Sequence, residues 1–165
     1  MINRKLAKKV IFIPAGSPWQ KNAVVNASAT DRAKMVARVI SKNESFELST
    51  KEIERSGPTY TIDSVREFQQ ENPTEEYVLL LGSDAFNGIE SWKEHKELLS
   101  LIDIVVAIRP GVELTNIPGA HVSVIESEMF AISSTEIREA VRTGADLHSF
   151  VPDEIVEDVK RIYGA

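Results

Sequence analysis

The chain has 165 residues, 42% hydrophobic and 27% charged, with 8 Gly, 7 Pro and no cysteine. This composition suits one globular domain, 1–165, with a real core, and the lack of thiols excludes disulfide frameworks, zinc–thiolate centres and cysteine nucleophiles. A net charge of -6 argues against a broad nucleic-acid surface but leaves room for a local basic pocket.

No apolar run approaches the roughly 18 residues of a membrane span, and the run after the basic start, Val10 to Ile13, is too short for a signal peptide. The cytoplasm is the simplest compartment. Val10 to Ile13 reads as a short, fully buried strand closed by Pro14 and Gly16. After a polar loop, Ser28 with Asp31 three residues on opens a helix whose apolar face is Met35, Val36, Val39 and Ile40. Phe46 and Leu48 alternate with polar residues as a second strand. Ile62, Val65 and Phe68 then space as a helix that stops at Asn72-Pro73.

Tyr77 to Leu81 is a continuous apolar strand ending at Gly82. A helical segment carries Trp92, Leu98, Leu99 and Ile102, and strands follow at Asp103 to Ile108 and Val122 to Ile125. The spacing predicts a helix from Ser134 to Thr143, closed by Gly144. Another begins near Pro152 with Ile155, Val156, Val159, Ile162 and Tyr163 on one face. Short buried strands alternating with helices imply an α/β fold with a parallel sheet, in which ligands bind beyond the carboxyl ends of strands.

Three strand ends carry groups suited to a nucleotide. After the first strand, Lys21 lies in a Gly/Pro-bearing loop beside Trp19, either meeting a phosphate or simply solvated. After the third, Gly82 allows close backbone approach by a ligand or a neighbouring element, and Asp84 is either a helix cap or an acceptor for ribose hydroxyls. Trp92 offers a flat face for a ring, or belongs to the core. After the fifth, "AISSTEIR" places Ser133, Ser134 and Thr135 at a helix start with Arg138 one turn along. That is a plain N-cap or an anion site. His95, His121 and His148 show no metal-binding spacing, "SST" lacks a nucleophile-elbow pattern, and no P-loop is present.

Taken together, "VIFIPAGSPWQK", "GPTYTIDSV", "LLLGSDAF" followed by Trp92-Lys93, and "ISSTEIR" resemble, in order and spacing, the bacterial nicotinate-nucleotide adenylyltransferases, with "PWQK" similar to the actinobacterial branch. The resemblance runs from about Lys9 to the C-terminus. It implies a Rossmann-like parallel sheet with helices on both faces. It also implies adenylyl transfer from ATP to nicotinate mononucleotide, giving nicotinate adenine dinucleotide and pyrophosphate in NAD biosynthesis. The mononucleotide phosphate attacks the α-phosphorus of ATP, with no protein nucleophile. Mg²⁺ carried by ATP, rather than by protein side chains, and basic groups offset the developing charge, so catalysis is positioning and electrostatics. In this chain Ser133, Ser134, Thr135 and Arg138 would hold the ATP phosphates. Ser134, Thr135 and Arg138 would also stabilise the transition-state charge. Gly82 and Asp84 would line the ATP site, Thr59, Tyr60 and Thr61 would contact the nicotinate carboxylate and its surroundings, Trp92 would stack on its ring, and Lys21 would face phosphate.

The family opens with a strand, a Gly-rich loop bearing two histidines, and a helix. Nothing in these 165 residues matches that loop, and "MINRKLAKK" is similar to the tail of the helix after it. The absent unit amounts to about 25–30 residues, and its strand is normally central in the sheet. Three readings stay open: an adenylyltransferase that lacks this unit or continues upstream of Met1, a pseudoenzyme or binding module that keeps the dinucleotide pocket without turnover, and a non-nucleotide α/β domain whose caps and aromatics are purely structural. The partners implied are ATP and nicotinate mononucleotide, with no nucleic acid and no membrane; the oligomeric state is open, a homo-oligomer included.

Overall fold

A computed structural model of the chain describes residues 7–17, 27–108, 111–126 and 132–164. In chain order the elements are β1 (Val10–Phe12), α1 (Ala29–Ile40), β2 (Phe46–Leu48), α2 (Lys51–Glu54), α3 (Thr61–Glu71), β3 (Val78–Gly82), α4 (Ser83–Asn87), α5 (His95–Leu101), β4 (Asp103–Ile108), β5 (Val122–Glu126), α6 (Ser134–Thr143) and α7 (Val156–Tyr163). Single 3-10 turns occupy Ile89–Ser91 and Asp153–Ile155. The described strands form two parallel sheets, β1-β2 and β3-β4-β5. The chain divides into two compact units, Met1–Thr59 with Ala131–Ala165, and Tyr60–Phe130.

In the first unit Val10 pairs with Phe46 and Phe12 with Leu48, and the Phe12 and Phe46 rings meet edge-on at 5.3 Å. A strand buried on both faces was expected here; instead β1 is half-buried and Ile13 is 37% exposed. The reason is geometric: β1 has one described strand partner, and a two-stranded ribbon cannot cover both of its own faces. Helix α1 starts as the sequence predicts, with Ser28 Oγ accepting from the Asp31 N–H at 3.0 Å. Of its expected apolar face, Ile40 is buried and Met35 packs against the core, but Val39 is 38% exposed. The core of this unit is Ala140, Leu147, Val151, Val156 and Val159, contributed by α6, α7 and the turn between them.

Two polar devices fasten this unit. Asp158, on the inner side of α7, accepts from Arg38 of α1 at 2.7 Å and from Arg161 at 3.1 Å, and Arg161 also reaches Asp31. The loop after β1 is held by Arg32, which donates to the carbonyls of Ala15 and Gly16. That loop runs directly over α2: a Cβ on Gly16 would lie 1.9 Å from the Glu52 carbonyl oxygen, so only glycine fits.

The second unit is built on β4, which lies between β3 and β5 in register Leu80↔Val105↔Ser123. A central strand must be apolar on both faces, and Ile104, Val105 and Val106 are all buried. The Ile104 and Val106 face packs with Ile62 and Val65 of α3, Phe86 of α4, Ile89, and Leu98 and Leu99 of α5. Strand β3 is covered on one face only. Leu79 and Leu81 pack against this core, whereas Val78 and Leu80, on the other face, are 38% and 40% exposed. Both α3 and β4 keep their expected boundaries. Helices α2 and α4 were not foreseen, because pieces of four or five residues are too short to show a 3.6-residue period.

Candidate functional site

In the first unit the hydroxyl-rich turn is a complete capping box. Ser133 is the N-cap of α6, its Oγ accepts from the Glu136 N–H at 3.1 Å, and Glu136 Oε2 accepts from the Ser133 N–H at 2.7 Å. The Glu136 carboxyl is held below the usual glutamate range, first by the hydrogen bond with the Ser133 side chain and then by the one from its backbone. Ser133 is thus committed to the helix. Ser134 and Thr135 occupy the first helical positions and are exposed, where the leading backbone N–H groups have no helical acceptor. Arg138 is exposed and rests its Nε against the Ser134 carbonyl at 3.0 Å, which places its guanidinium beside the same helix start. Glycine closes the other end: Gly144 takes φ 71 and its N–H returns to the Ala140 and Val141 carbonyls.

Thr59 is buried, its N–H donates to the Ser17 carbonyl at 3.1 Å, and its Oγ1 meets no hydrogen-bond partner among the described residues. Lys21, and Trp19 beside it, lie outside the described residues.

In the second unit β3 ends at Gly82, which caps α4. A Cβ on Gly82 would touch nothing within 4 Å, so no neighbouring element of the described chain demands glycine here. Ser83 follows, 1% exposed, with Oγ buried and without a hydrogen-bond partner among the described residues. Asp84 stands exposed in the first turn of α4.

Tyr60 and Trp92, distant in sequence, pack half-buried against the same core of this unit, and Thr61 begins α3 immediately after Tyr60. Part of Trp92 is therefore core, and part of the residue remains open. Beside Tyr60, and next to Trp92 in the chain, lies a charged cluster that the sequence alone did not point to. Lys93 Nζ sits 4.7 Å from the Tyr60 ring centroid and 3.1 and 3.3 Å from the Asp63 carboxylate oxygens. Arg66 reaches Glu94 at 2.7 Å and Glu97 at 2.6 Å. The Glu97 and Glu94 carboxylates raise the Arg66 guanidinium above its ordinary value, and Arg66, the leading influence on Glu94, holds that carboxyl below the usual range. The available signals were Lys93 next to Trp92 and the Asp63/Arg66 spacing on one helix face; pairing across 30 positions carries no sequence signature. Among the described residues no group of three His, Asp or Glu side chains is placed to hold a metal ion. No described helix is long and apolar enough to cross a membrane.

The fold and these strand-end groups define a class. The family model described as cytidylyltransferase-like matches residues 1–140, and the chain is a nucleotidyltransferase of that family with a Rossmann-like α/β fold. Its sequence relatives narrow this. It is 36% identical over 156 residues to a protein of Frankia alni described as "Probable nicotinate-nucleotide adenylyltransferase", covering 93% of this chain and 82% of the relative. It is 36% identical to a protein of the same description from Streptomyces coelicolor, covering 94% and 85%, and 38% identical to one from Acidothermus cellulolyticus, covering 93% and 78%. The chain belongs to the nicotinate-nucleotide adenylyltransferase family. Among solved structures it is similar in fold to Plasmodium falciparum nicotinic acid mononucleotide adenylyltransferase complexed with NaAD, with TM-score 0.69 at 20% identity, covering 92% of this chain and 81% of that one. The same enzyme complexed with APC gives TM-score 0.66 at 18% identity.

Proposed function

We propose that this chain transfers the adenylyl group of ATP to nicotinate mononucleotide, releasing pyrophosphate and nicotinate adenine dinucleotide, and that 1–165 acts as one nucleotidyltransferase domain. The observation that carries the reading is identity of 36–38% spread over 93–94% of the chain with relatives of that description. The family match, running across both compact units, supports a single functional domain.

The chemistry asks for anion binding and positioning, because the attacking group is the substrate's own phosphate. In this reading the start of α6 receives ATP phosphates. The leading N–H groups and the Ser134 and Thr135 hydroxyls donate, and Arg138 supplies the charge that grows in value as the pentavalent phosphorus forms. The capping box tempers this: Ser133 serves the helix, and Glu136 puts a carboxylate within a turn of the anion, so the site depends on Arg138 for its positive balance. Gly82 and Asp84 serve the nucleoside, the open space over Gly82 favouring a ligand there. Trp92 takes the pyridine ring and Thr59, Tyr60 and Thr61 its carboxylate, at the electropositive start of α3. Lys21 faces phosphate. Mg²⁺ carried by ATP would offset the charge of the triphosphate. The cytoplasm is the site of action in this reading, in keeping with a chain without cysteine.

Pyrophosphate release from ATP, nicotinate mononucleotide and Mg²⁺ tests the proposal. Turnover that needs all three supports it. Binding of the dinucleotide without pyrophosphate release would assign the chain to the binding-only reading, and no binding of either would remove both.

A further inference from the structure

The residues that follow Trp92 are tied to α3 in two directions. Lys93 reaches the first turn, through Asp63 at 3.1 Å and the Tyr60 ring at 4.7 Å. Glu94 reaches Arg66, one turn further along α3, at 2.7 Å. Consecutive side chains on an extended segment point to opposite sides, so both can meet one helix only if the chain is turned between them. It is: Glu94 takes φ 51, the left-handed region that a residue with a Cβ enters only at an energetic cost. The two ion-paired contacts offset that cost, and the bend constrains where Trp92, next to Lys93, lies.

The charges also say what the cluster is not for. Lys93 and Arg66 face Asp63, Glu94 and Glu97, so the carboxylates outnumber the cations. A lysine so compensated is not held in reserve for a substrate anion. We propose that Lys93, anchored by Asp63, is a positioning residue. It clamps the Trp92 segment against Tyr60 and the start of α3, and so sets affinity for the pyridine mononucleotide while leaving ATP affinity alone. The inference rests on the reading that Trp92 takes the ring. Isolated exposed ion pairs contribute little, but here several charges form a network and the cation lies on an aromatic face, so the effect is local order rather than global stability.

The test uses the full chain carrying Trp19→Phe, which leaves Trp92 as the only indole, since the chain has two tryptophans. Acrylamide quenching of Trp92 should rise in Lys93→Ala and Asp63→Ala, and recover in Lys93→Arg. It should also rise in the Trp19→Phe chain with no second substitution when salt goes from low ionic strength to about 1 M, where screening is nearly complete. KM for nicotinate mononucleotide should increase roughly tenfold in Lys93→Ala, with KM for ATP and kcat little changed, as a displaced ring site requires. Quenching unaltered by both substitution and salt, or an equal rise in the two KM values, would overturn the proposal. If the Trp19→Phe chain itself fails to bind nicotinate mononucleotide, the functional reading fails instead. The quenching measurements then decide the clamp by themselves.

Discussion

Ser133 and Glu136 exchange two hydrogen bonds at the start of α6, each side chain accepting from the other's backbone N–H, at 3.1 and 2.7 Å. Ser133→Ala removes the cap and should lower stability by about 1 kcal/mol in denaturant unfolding. Glu136 adds a pH dependence whose sign follows from its depressed pKa. Its contribution is complete above the ordinary glutamate range and disappears as pH falls through the lowered folded-state value. Glu136→Gln should flatten that part of the acid limb, read as thermal midpoint against pH.

Asp158 is the buried partner of two exposed arginines, Arg38 and Arg161. Asp158→Ala should destabilise by about 1–2 kcal/mol, discounted because both guanidiniums remain in water. Arg38→Ala should cost under about 1 kcal/mol, since Arg161 still satisfies the carboxylate. A larger loss for Arg38 than for Asp158, measured by urea unfolding, would contradict the assignment of Asp158 as the hub.

Ser83 buries a hydroxyl that no described residue satisfies. Replacing it by alanine removes an unmet polar group and little volume. Ser83→Ala should therefore match the parent within about 0.5 kcal/mol or exceed it. A loss of more than about 1.5 kcal/mol in the unliganded chain would show that the hydroxyl has a partner in solution.

His148 Nδ1 lies 2.7 Å from Asp153 Oδ1, and the hydrogen bond to Asp153, with the nearby Asp146 charge, raises its pKa. A raised folded-state value means the stabilisation is fully present below the ordinary histidine range and fades as pH climbs through the higher folded value. An NMR titration should place His148 above a model histidine, and Asp153→Asn should bring it back down.

Where local rules are strong, the sequence foretold the fold. Helix α6 was bounded by a capping box and a glycine, and it runs from Ser134 to Thr143 with Gly144 at φ 71. Strand β4, apolar from Ile104 onward, was placed at Asp103–Ile108. Burial was harder to read. The run Tyr77 to Leu81 looks the same whether a strand is covered on one face or two, and only the packing shows Val78 and Leu80 exposed. The same limit applies to the candidate site. The residue types at the strand ends were visible, whereas the commitment of Ser133 to its cap and the clamp of Lys93 on Tyr60 depend on distances that composition and period do not encode.

Titration calorimetry of nicotinate adenine dinucleotide into the chain and into its Trp92→Ala and Arg138→Ala variants tests the functional account most directly. Binding by the parent, weakened by roughly 1–3 kcal/mol in each folded variant, is the predicted result. Folded variants that bind as tightly as the parent, or a parent that releases no heat with the dinucleotide at any accessible concentration, would contradict it.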